Sequence, residues 1–145
     1  MKRREAREAA LKILYAHEFN DDDLSEIIFH LTEEKNITVS DFTKQIIDCY
    51  VDNKPEIDEK IAAQLHNWDY KRVAIIDKIL LRMAVVEFLY FDTIPPEATI
   101  NEMIEIGKNY STERSGKFIN GVLDAILDKV RPGKKKKSSG KKKTK

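Results

Sequence analysis

The sequence predicts an all-α fold of about seven helices, on three observations. Apolar residues recur at helical spacing almost throughout Lys2 to Val130, no stretch alternates convincingly as a strand, and residues 73–91 are apolar on nearly every side. A helix apolar all round has to be enclosed by others, so this segment is placed at the centre, as a long wall shared by two small bundles.

The first helix opens in Arg3-Arg4-Glu5-Ala6-Arg7 and continues through Leu11, Ile13 and Tyr15. Cations are badly placed there. The free N–H groups of a first turn carry partial positive charge, so each arginine forgoes a few tenths to about 1 kcal/mol that a carboxylate would gain. At 100° per residue, Ala6, Ala9, Ala10, Ile13 and His17 form a core stripe, while Arg4, Arg7, Leu11 and Tyr15 gather on the opposite side, predicted to face solvent. Guanidiniums that fork onto phosphate oxygens, free backbone amides and an exposed aromatic plane suit single-stranded nucleic acid. A solvated charged face with a half-buried tyrosine is the competing reading of this helix taken alone.

After Asn20-Asp21-Asp22-Asp23, the spacing of Leu24, Ile27, Ile28 and Leu31 predicts a second helix to about Lys35. Ser40 or Asp41 caps a third, through about Asn53, with Phe42, Ile46, Ile47 and Tyr50 inward. Pro55 suits the first turn of a fourth, whose stripe is Ile57, Ile61, Ala62 and Leu65 and which ends near His66-Asn67-Trp68-Asp69. In the central fifth helix Arg82 interrupts the apolar run and requires a carboxylate, with Glu102 the candidate, or access to water. Ile94-Pro95-Pro96-Glu97 stops that helix and starts a sixth, and Gly107 to Ser111 reads as the next break. The last helix carries Phe118, Ile119, Val122, Leu123, Ile126, Leu127 and Val130, with Gly121 read as a place where another helix approaches closely.

The chain of 145 residues is long enough for one core without staples. Its single cysteine, Cys49, excludes an internal disulfide and reads as core filler; without a signal peptide or long apolar run, a soluble cytoplasmic protein is expected. The net charge of +1 conceals an asymmetry: nine of the 26 Lys and Arg lie in residues 131–145, which contain no acid, leaving 17 basic against 25 acidic residues in residues 1–130. The sequence thus divides into a helical domain, 1–130, and a lysine-rich tail, 131–145, expected to be disordered. The tail reads equally as a salt-sensitive arm for RNA or as a solubilising terminus. An acidic body repels RNA in general, which favours binding at a restricted surface.

Catalytic machinery is not visible. His17, His30 and His66 lack metal-ligand spacing, and no HExxH, CxxC pair, calcium loop or GxSxG elbow occurs. Ser115-Gly116-Lys117-Phe118 fails as a phosphate loop, because Ser111 stands where the first glycine is required and Phe118 replaces the hydroxyl residue. No enzyme activity, metal or cofactor is expected.

Two stretches together carry a resemblance: residues 3–15, and Ile100-Asn101-Glu102-Met103-Ile104-Glu105-Ile106-Gly107-Lys108 with Lys117-Phe118-Ile119-Asn120-Gly121-Val122-Leu123-Asp124. They resemble the NusB family of bacterial transcription antitermination factors. Residues 79–87 are similar to that family's central helix, extending the match over residues 3–130. The resemblance implies an all-helical protein that pairs with a small-subunit ribosomal protein acting as NusE, grips boxA RNA of ribosomal RNA leaders and joins RNA polymerase with other Nus factors. Carried over by position, its RNA surface falls on Arg3, Arg4, Arg7, Tyr15, Lys117 and Phe118, and its ribosomal-protein contact includes Asp77. Arg114 departs from the pattern, standing where some members have an acid, and the tail is longer than the family core requires.

Three functions follow as alternatives: an antitermination adaptor, a non-catalytic partner of a ribosomal RNA methyltransferase, and a helical scaffold that binds only protein. A monomer and a homodimer both accommodate an exposed basic and aromatic face.

Overall fold

A computed structural model describes residues 2–66 and 69–131 of the chain. The expected disorder of the lysine-rich tail concerns residues that, apart from Arg131, lie outside the described ones. Among these residues seven α-helices follow one another: α1 Arg3–Glu18, α2 Leu24–Lys35, α3 Asp41–Asp52, α4 Lys54–Ala62, α5 Ile75–Tyr90, α6 Pro96–Tyr110 and α7 Glu113–Val130. A 3₁₀ turn, Tyr70–Arg72, precedes α5, and no strand occurs among the described residues.

Local chemistry sets most of the ends. The Glu5 side chain accepts the free Lys2 N–H at the start of α1. Ser40 and Thr112 accept from the N–H groups of Thr43 and Ser115, capping α3 and α7. Pro55 and Pro96 occupy first turns, where a missing N–H costs nothing. Asn36, at φ 58°, takes the left-handed conformation that closes α2.

Helix α5 lies at the centre, packed by α1, α3, α4, α6 and α7, and from Ile79 to Phe88 every residue is buried. Its enclosure explains why its sequence is apolar on all sides. The two strongest packing groups are α5 with α6 and α7, and α1 with α3 and α5. Helix α2 rests on α1 and buries only Ile27.

Several expectations need correction. Helix α4 ends at Ala62, short of the His66 region. Gly107 is no break: α6 continues through it to Tyr110, and Gly107 is buried where a Cβ would stand 2.8 Å from Ile119 Cδ1. The close helix approach therefore belongs to Gly107 rather than Gly121, around which a Cβ would meet nothing within 4 Å. His17, placed in the core stripe of the first helix, is exposed in its last turn.

Candidate nucleic-acid interface

The three arginines of α1 have three different environments. Arg3 is exposed at the helix start, its guanidinium carbon 4.8 Å from the centroid of the Phe42 ring. Arg4 has 42 % of its side chain exposed and donates from Nε and Nη2 to both Glu102 oxygens of α6, at 2.7 and 2.9 Å. Arg7 is buried, with 3 % of its surface exposed, and donates from Nε and Nη2 to both oxygens of Glu87 in α5, at 2.8 and 2.9 Å. Thr99 Oγ1 donates to the same Glu87 carboxylate at 2.6 Å, so this buried acid is well satisfied.

The expected solvent face of α1 is therefore corrected for Arg7 and for Leu11, which is 1 % exposed. Contacts from α2, α3 and α5 cover more than half of the circumference of α1 and draw both residues inside. A buried guanidinium requires a paired carboxylate, and Glu87, alone in an apolar stretch of α5, supplies it. That isolated acid was the sequence signal for the arrangement.

Along the outer face of α1, half-buried Arg4 and Glu8 are followed by exposed Lys12 and Tyr15, a ridge continued by Phe19 beyond the helix end. The Tyr15 and Phe19 rings pack edge to face with centroids 5.0 Å apart, and Lys12 Nζ lies 5.9 Å from the Tyr110 ring at the end of α6. Helices α1 and α6 run in the same direction, since the Arg4 to Glu102 contact precedes the Lys12 to Tyr110 contact along both. The start of α7 follows directly from that end of α6, and there Lys117 is exposed and Phe118 half-buried. Lys12 and Tyr110 were missed in the sequence; Lys12 was legible as the residue one turn before Tyr15, whereas Tyr110 joins only through the fold.

Next to Phe118 a groove of about 450 Å³ opens between the N-termini of α5 and α7, lined by Asp77, Arg72, Arg114, Ser111, Ser115 and Phe118 with apolar Val73 and Ala74. The structure thus brings Phe118 and Asp77 together, and Arg3 and Arg4 lie at the other end of the ridge. Asp77 is 7 % exposed, and its Oδ1 has no hydrogen-bond partner. Burial pushes its carboxyl up from the usual aspartate range, and the hydroxyls of Ser115 and Ser111 oppose this only in part. An acid in that position accepts a hydrogen bond readily from any donor entering the groove.

A second buried network holds the near wall of the groove. Arg82 Nε donates to Asp58 Oδ1 and to Tyr70 Oη, both at 3.1 Å, and its Nη1 donates to Glu18 at 2.8 Å. The expected Glu102 partner is corrected, because Glu102 belongs to Arg4 on the other side of the molecule. Tyr70 Oη also donates to Asp58 at 2.9 Å, pinning the 3₁₀ turn that carries Arg72 and leads to Val73. Burial raises the Tyr50 and Tyr70 phenols, so both remain protonated donors. Among the described residues, no group of His, Cys, Asp and Glu has the arrangement to hold a metal ion, and no helix is long and apolar enough to cross a membrane.

Comparison with known proteins gives one consistent result. A transcription antitermination protein NusB from Chloroherpeton thalassium is 42 % identical over 89 % of this chain, which spans 63 % of that relative's length. Among solved structures, NusB of T. maritima superposes with a TM-score of 0.80 at 38 % identity, covering 93 % of this chain and 96 % of that one. A crystal structure of antitermination factors NusB and NusE in complex with dsRNA gives 0.78 at 29 % identity, covering 88 % of this chain and 96 % of that one. The family model for NusB matches residues 4–128, and with these relatives it shows that the chain belongs to the NusB family.

Proposed function

We propose that this protein is a non-catalytic, cytoplasmic, RNA-binding transcription antitermination factor. It acts with a small-subunit ribosomal protein in the NusE role, binds boxA RNA of ribosomal RNA leaders and joins the antitermination complex on RNA polymerase. One observation carries the reading: a basic and aromatic ridge on α1 leads to a groove whose buried Asp77 oxygen lacks a donor. The similar fold of NusB in the complex with NusE and dsRNA supports the same assignment.

In this reading Arg3, Arg4 and Lys117 meet phosphates, and Tyr15 and Phe118 offer ring surface to bases. Arg7 acts indirectly, since its Nε and Nη2 are held by Glu87, which fixes α1 against α5. Asp77 accepts a hydrogen bond from the ribosomal protein, which would satisfy its free oxygen. Residues 131–145 add a sequence-independent, salt-sensitive attraction for RNA.

The test is fluorescence anisotropy of a labelled boxA-type leader RNA and a scrambled control, at two salt concentrations, with and without the ribosomal protein. Preference for boxA that sharpens with the partner supports the adaptor, because two ligands sharing one complex couple reciprocally. Equal, steeply salt-dependent binding of both RNAs overturns it.

A further inference from the structure

Glu102 faces two arginines. It holds Arg4 through both oxygens at 2.7 and 2.9 Å, and its Oε1 lies 4.0 Å from Nη1 of Arg7. The two arginines differ in exposure. Arg7 is locked by its own bidentate pair with Glu87, which Thr99 braces, whereas Arg4 stands at the surface, gripped by Glu102 and attracted more weakly by Glu105 and Glu8. The donors that Arg4 gives to Glu102, Nε and Nη2, form the edge with which a guanidinium grips a phosphate in fork geometry.

We infer that Glu102 is an exchangeable latch on Arg4: an RNA phosphate displaces it from the Arg4 fork, and the released carboxylate shifts onto the waiting Nη1 of Arg7. The inference rests on the RNA-binding reading given above. Its physical merit is that no charge is orphaned. Stripping Arg4 from Glu102 without a second cation would leave a carboxylate 28 % exposed and unpaired, but Arg7 stands ready on the other side. The chain of alternating charges Glu87, Arg7, Glu102, Arg4 therefore runs from the central helix to the surface and can be rearranged at its outer end only. With Glu102 in place, a phosphate meets a neutralised arginine, so RNA that lacks further contacts along the ridge is held weakly.

The test compares the full chain with Glu102→Gln, Glu102→Asp, Arg4→Ala and the double variant Arg4→Ala/Glu102→Gln, by anisotropy of the boxA-type leader RNA at fixed salt. A latch predicts that Glu102→Gln tightens RNA binding by about 3- to 5-fold, the upper range for one partly exposed ion pair released for the ligand. Glu102→Asp keeps the charge but shortens the reach to Arg4, and it also tightens binding. In the Arg4→Ala background the Glu102→Gln change is under about 2-fold, since additivity fails only where two residues act together. Unchanged or weaker binding by Glu102→Gln overturns the latch, as does equal tightening with and without Arg4, which would mark plain charge repulsion. Absence of saturable RNA binding by the unsubstituted chain overturns the functional reading itself; binding there with a failed Glu102 series sinks only the latch.

Discussion

Two arginines three positions apart on one helix carry opposite energetic roles. Removing Arg7 leaves Glu87 buried without its ion partner, and Arg7→Ala is expected to cost about 3–5 kcal/mol in urea unfolding. Arg4→Ala, at a partly exposed pair, is expected to cost less than about 1 kcal/mol while weakening RNA binding. A loss of stability from Arg4→Ala as large as from Arg7→Ala would contradict the assignment. The carboxylates show the same division in their titration. The hydrogen bond from Arg4 holds Glu102 below the usual glutamate range, so its stabilisation is complete above the unfolded-state value and lost as pH falls through the folded one. Asp77 has the reverse sign: burial raises it, the folded protein binds the proton more readily, and stability falls as pH rises from the unfolded to the folded value. Asp77→Asn is therefore expected to raise Tm by a few degrees at pH 7, to lose that gain in acid, and to weaken ribosomal-protein binding, a stability gain at the proposed partner contact. A lower Tm at pH 7 would refute the role of a strained buried carboxylate.

Helix packing decides what each glycine does. Gly121 stands in the interior of α7 with open space around it, so Gly121→Ala is expected to stabilise by about 0.5–1 kcal/mol through the unfolded chain. In α6, Gly107→Ala would push a methyl group against fully buried Ile119, and it is expected to be less stable than Gly121→Ala by about 1 kcal/mol or more. Thermal unfolding of the two variants with equal Tm would remove the close α6 to α7 approach from the account. Helix α2 is the thinly held element, with Ile27 its one buried residue, whereas α5 is enclosed along most of its length. Native-state hydrogen exchange should open α2 amides at a lower free energy than those of α5, which should follow global unfolding. The extent of α2 and the start of α3 were legible because the spacing of Leu24 to Leu31 and the Ser40 cap are local signals; the end of α4 and the role of Gly107 were not, because burial by a distant helix determines them.

Across the whole molecule, an acidic body presents cations along one ridge, and RNA binding there should follow counterion release. Arg4→Ala and Lys117→Ala are each expected to lower the slope of log K against log salt by about one, leaving the preference for boxA over scrambled RNA largely intact. Slopes that do not move would shift the phosphate contacts to the lysines of residues 131–145. The helical class, the order of the elements and the central position of α5 were determined by the sequence alone, because periodicity and an all-round apolar surface are local properties of a chain. Tyr15 was likewise read correctly as exposed. Only the tertiary structure decided which arginine is exposed and which is buried, that Glu102 serves Arg4 while Arg82 takes Asp58 and Glu18, and that Phe118 and Asp77 share one groove. Those outcomes depend on how many neighbours cover each face and on carboxylates tens of residues away, and a helical wheel carries neither.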